Sequence, residues 1–79
     1  MEWKENNGSH LLYDNGDFVG MISFGTSKED MDYGYWNCSF HTIDDGVIVM
    51  HRIATDANEA KTKTEEFYNQ KQTYEWWMK

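Results

Sequence analysis

Apolar and polar positions alternate along the first two thirds of the chain, then change period. Residues 9–24 alternate with period two on either side of Asn15-Gly16, a dipeptide suited to a type I′ turn because both positions take positive φ. That turn predicts a hairpin pairing Asp14 with Asp17, Tyr13 with Phe18 and Leu11 with Gly20. One face then carries Leu11, Tyr13, Phe18, Ile22 and Phe24, and the other His10, Leu12, Val19 and Met21. Residues 25–32 read as a polar loop. Residues 33–43 and 47–53 read as a third and fourth strand joined at Asp45-Gly46. With Asp44 opposite Val47, Cys38 meets Ile53, and Trp36, Cys38, Phe40, Val47, Val49 and Ile53 share a face. Two readings stay open for residues 1–5: a short leading strand, or a segment laying Trp3 on the core. Asn6-Asn7-Gly8 is a turn on either.

From residue 55 to 79 the period becomes helical. Ala57, Ala60, Thr64, Phe67, Lys71, Tyr74 and Met78 fall at steps of three and four, on one face. Asp56 and Glu59 form the D-x-x-E opening of a capping box. The distal half is aromatic, with Phe67, Tyr68, Tyr74, Trp76 and Trp77. Together these segments predict one α+β domain over residues 1–79: an antiparallel four-stranded meander with one long C-terminal helix packed on one face.

Two surfaces follow from that topology. Both tight turns of a meander lie at one end, so Asp14, Asp17, Asp44 and Asp45 form an acidic rim, with Trp76 and Trp77 reaching it from the helix end. One helix covers one face only, leaving Leu12, Val19, Met21, Tyr33, Tyr35, Ile48 and Met50 on the other. A contiguous apolar patch of that kind marks an interface. The expected partner-binding set is therefore the four aspartates and two tryptophans with Val19, Met21, Tyr33, Tyr35 and Met50.

Composition sharpens this picture. Fourteen carboxylates against seven basic side chains give a net charge of −7, which opposes direct binding of nucleic acid or an anionic membrane and favours a basic protein partner. At 79 residues a single core is marginal, so partner binding or a homodimer adds stability. The single Cys38 forms no internal disulfide and fits a reducing cytoplasm; the first five residues lack the features of a signal peptide, and no stretch is apolar enough to span a bilayer.

Chemistry is sparse. Cys38-x-x-His41 with His10 and His51 suggests zinc, but strand residues three apart face opposite ways. Asp14-Asn15-Gly16-Asp17 lacks the length and later glutamate of a calcium loop. Ser9 with His10, and Ser39 with His41, are adjacent nucleophile–base pairs without a third residue to orient the base. The expectation is a protein without enzyme activity, metal or cofactor.

A strand-rich first part followed by Asp56-Ala57-Asn58-Glu59-Ala60-Lys61, in a short acidic chain, resembles small phage- or prophage-encoded accessory proteins, among them anti-CRISPR-like inhibitors. The resemblance covers the last half of the chain and transfers no individual residue's role. It implies inhibition by binding, sometimes by imitating the charge of DNA, here of a host nucleic-acid-handling or defence protein in the host cytoplasm. The alternative is a small structural domain that forms a homodimer through its free sheet face.

Overall fold

A computed structural model of the chain describes residues 1–41 and 46–74, with side chains up to Gln70. Five strands form one antiparallel sheet in chain order: β1 Glu2–Asn6, β2 Ser9–Asp14, β3 Asp17–Phe24, β4 Trp36–His41 and β5 Val47–Ala54. One helix follows, α1 Ala57–Tyr74, packed on β3, β4 and β5. The meander and its C-terminal helix are as expected, with one strand more than four. Residues 2–6 form a true edge strand, with Trp3 paired to Leu12. Both Asn-Gly dipeptides turn with positive φ: Asn7 52° and Gly8 86°, Asn15 53° and Gly16 85°.

The register departs from expectation at two places, and each changes which side chains face the helix. In the β2–β3 hairpin, Asp14 pairs Asp17 and Tyr13 pairs Phe18, but Leu12 then pairs Gly20. Val19 is the extra residue of a β-bulge, and beyond it the hairpin is shifted by one. In the second hairpin His41 meets Val47, Phe40 meets Ile48 and Cys38 meets Met50, where Cys38 opposite Ile53 was expected. The slip is an odd number of residues, so it turns the start of β5 over. A second irregularity between Trp36 and Cys38 leaves Trp36 opposite Ala54 and returns Ile53 to the core.

The covered face is thus a ladder of aligned rows. Trp3, Leu12, Gly20, Phe40 and Ile48 cross all five strands, and Glu5, His10, Ile22, Cys38 and Met50 form the next row. Leu12, Ile22, Cys38 and Phe40 are buried with Ala60 and Tyr68 of the helix. Gly20 makes room for this packing, since a Cβ there would lie 2.8 Å from the Phe40 ring and 2.6 Å from the Ser39 carbonyl oxygen. Burial pushes the Cys38 thiol up to about 11, against smaller opposing pulls from the Thr64 hydroxyl and the Met50 backbone, so at neutral pH it packs as a small apolar group.

The helix opens as its sequence requires. The Asp56 carboxylate accepts from the Glu59 N–H at 2.9 Å. Its buried stripe is Ala60, Thr64 and Tyr68, flanked by half-buried Ala57 and Phe67. The Thr64 hydroxyl donates to the Ala60 carbonyl at 2.6 Å, which satisfies it inside the core. Each flank of the helix is tied to the sheet. Trp3 Nε1 donates to Glu65 at 2.7 Å on one side, and Lys63 Nζ donates to the Ile53 carbonyl at 2.7 Å on the other. The expected stripe positions Lys71 and Tyr74 lie beyond the described side chains, and Met78 beyond the described residues.

Candidate binding surfaces

The face away from the helix is built from the alternate residues of the same strands. Lys4, Leu11, Met21, Ser39 and Val49 are aligned partners across all five strands. Towards the Asn15-Gly16 turn this face becomes aromatic. The Phe18 ring meets Tyr13 edge-on at 5.8 Å and His41 at 5.3 Å, and the Lys4 ammonium lies 4.8 Å from the centre of the Tyr13 ring. Towards the other end it becomes polar, with Ser9 and Ser23 sharing a hydrogen bond of 3.1 Å. Phe18, Val47 and Val49 are 38%, 57% and 46% exposed, whereas Leu11, Tyr13 and Met21 are half-buried. An apolar patch therefore occupies the turn-side half of the open face. Asp17, at the turn, and Glu2, paired with Tyr13, border it with negative charge.

The expected site residues are distributed differently from the sequence reading. Met21 lies on the open face. Val19 and Met50 do not: both pack against the core, as do Leu12 and Ile48. The bulge at Val19 and the odd-numbered slip in β5 exchange them for Tyr13, Phe18, Val47 and Val49. Tyr33 and Tyr35, expected on the third strand, belong to the loop that precedes β4. Asp14 and Asp17 do face each other across the turn, and Asp14 accepts a hydrogen bond from the Tyr68 hydroxyl at 2.8 Å. That contact places α1 against the acidic turn six residues before its end at Tyr74. Asp44, Asp45, Trp76 and Trp77 lie outside the described residues.

The loop over residues 25–35 is held by a group that the pattern of the sequence did not single out. Asp32 is 3% exposed. Its carboxylate accepts from Arg52 N–H at 2.9 Å and Asn37 Nδ2 at 3.2 Å, and lies 2.8 Å from His51 Nδ1. Its own N–H donates to Asp30 at 2.9 Å. Burial acts to raise the Asp32 pKa, but the hydrogen bonds from His51, the Arg52 backbone and Asn37, with the charge of His51, outweigh it and hold the carboxyl below its ordinary value. The same interactions fix the irregular stretch of β5, where Arg52 sits at a φ of 53°. Arg52 also donates from Nε to the Met31 carbonyl at 2.6 Å and lies 5.5 Å from the centre of the Tyr35 ring. Gly25 is required at the loop's closure, because a Cβ there would lie 2.1 Å from the Asp32 carbonyl oxygen. The loop thus presents Met31, Tyr33 and Tyr35, 58%, 48% and 38% exposed, at the end of the sheet opposite the acidic turn.

Buried Asp32 beside partly exposed His51 is an oriented acid–imidazole pair, and among the described residues the further hydrogen bonds to its carboxylate come from the Asn37 amide and the Arg52 backbone, not from a hydroxyl or thiol. Cys38 and His10 lie on the covered face and His41 on the open face, and no group of three His, Cys, Asp or Glu side chains among the described residues converges as metal ligands would. No helix among the described residues is long and apolar enough to cross a membrane. Compared with known protein families, characterised proteins and solved structures, the chain matches none.

Proposed function

We propose that this chain is a protein-binding module without catalytic activity, which docks through the turn-side half of its open sheet face. The observation that carries this reading is the apolar, acid-bordered patch of Leu11, Tyr13, Phe18, Met21, Val47 and Val49 on the face opposite the helix. Aromatic and aliphatic side chains at the centre of a patch provide the desolvated contact. Carboxylates at its border select a partner whose rim is basic and speed the encounter. With a net charge of −7 the target is a protein of positive surface potential, and an inhibitor of a nucleic-acid-handling or defence protein fits that chemistry.

The test is affinity capture from a bacterial lysate, followed by binding kinetics with whatever partner is recovered. Phe18→Ser together with Met21→Ser should abolish capture while the thermal unfolding midpoint changes little, because neither side chain is in the core. Asp17→Asn should slow association, and raising the salt should do the same, since exposed charges are screened beyond about 8 Å at physiological ionic strength. Capture unchanged by the double substitution would remove the open face from the mechanism.

A further inference from the structure

The two edges of the sheet are protected differently. Edge strands present backbone N–H and C=O groups that template the addition of another strand, and charges, prolines or bulges guard against it. β1 carries Glu2, Lys4 and Glu5 among its five residues. The second half of β5 is guarded by its irregular stretch, where Arg52 takes a positive φ and its N–H turns to Asp32. The first half, Val47–Ile48–Val49–Met50, has neither guard. It pairs regularly with β4 on its inner side, and no strand among the described residues adjoins its outer side.

We propose that Val47, Ile48, Val49 and Met50 form a self-association edge, on which a second copy of this chain adds its own β5 antiparallel about a two-fold axis. A second copy is the occupant that the charges favour. β5 contains no carboxylate in a chain of net charge −7, whereas β1, β2 and β3 each carry at least one. Two molecules that repel elsewhere can therefore meet here without opposing acids. An axis at Ile48 pairs each Val47 with the other copy's Val49, so that opposed side chains share a face as antiparallel partners do. It keeps the two Arg52 positions roughly 26 Å apart along the strands, at 3.3 Å per residue. The contact is isologous, so it closes at two copies. Val47 and Val49, 57% and 46% exposed, lose solvent on association. The irregular stretch beginning at His51 limits the pairing to a few residues per copy, so the dimer is weak and reversible, at the small end of specific interfaces.

This inference rests on the edge and is independent of a partner on the open face. The experiment is sedimentation equilibrium of the full chain over a range of concentrations, with hydrogen exchange read by mass spectrometry. The expected result is a monomer–dimer equilibrium in which amides of residues 47–50 gain protection as concentration rises. Val49→Lys should abolish the dimer. Val47→Lys, at the exposed start of the strand, should do the same and serves if the first variant is unfolded. Phe18→Ser with Met21→Ser should leave the dimer intact, which separates this edge from the open-face reading. A chain that stays monomeric up to about 1 mM, where even a millimolar Kd would show, overturns the proposal. A dimer whose residues 47–50 gain no protection also overturns it.

Discussion

At Asp32, burial works against ionisation and its hydrogen-bonding partners work for it. The partners prevail, so the folded-state pKa lies below the ordinary value of 3.8. A depressed carboxyl pKa stabilises the fold above the unfolded value, and that contribution is lost as pH falls through the folded one. Asp32→Asn should therefore lower stability at neutral pH by about 1–3 kcal/mol, because it puts an amide donor among donors. It should also flatten the loss of stability in the acid range below about pH 4, measured by urea unfolding at a series of pH values. A variant with the wild-type acid limb would show that other carboxylates set it. Asp32 could not be recognised from its neighbours in sequence. It sits in a polar run with Glu29 and Asp30, and what distinguishes it are contacts with residues 37, 51 and 52, the last two reached only when the sheet forms.

At the scale of the element, local signals were reliable where the interaction is itself local. Asn15-Gly16 fixes its turn because positive φ is required at two adjacent positions, and Asp56 fixes the helix start because its carboxylate reaches an N–H three residues on. Asp56→Ala should cost about 1 kcal/mol, read as a lower denaturant midpoint with an unchanged slope. Faces were less legible. Period two distinguishes the two sides of a strand, but a single bulged residue exchanges them, and Val19 carries no local signal of being extra. Asp45-Gly46 likewise suggested a register with Asp44 opposite Val47, whereas Val47 lies opposite His41. The residues of the open face changed for this reason: the alternation of Val47 and Val49 was visible, and the side on which it faced was not.

Among the described residues the molecule is a sheet with its helix packed on one face, and the two faces contribute unequally to the fold. The covered face holds the fold together through Leu12, Ile22, Cys38, Phe40 and the small side of α1. The other is free to change without repacking that core, so substitutions at Phe18 and Met21 should separate binding from stability more cleanly than any at Ile22 or Phe40. Phe40→Ala should cost about 3–5 kcal/mol, enough to unfold a domain of this size, and is checked by the loss of a cooperative thermal transition.

The hydrogen bond from Trp3 to Glu65 joins residues 62 apart in a chain of 79, and that from Tyr68 to Asp14 spans 54. During synthesis, then, all five strands leave the ribosome before the residues that cover them exist in free solution. Contacts of such long sequence separation must close large loops before they return any stability, which slows folding. For that interval Leu12, Ile22 and Phe40 lie on a sheet with both faces bare and an unguarded edge at Val47. The growing chain is thus most prone to mispairing before α1 has emerged. A version ending after Ala54 should form aggregates in cell-free translation, whereas one extended through Tyr74 should be released folded.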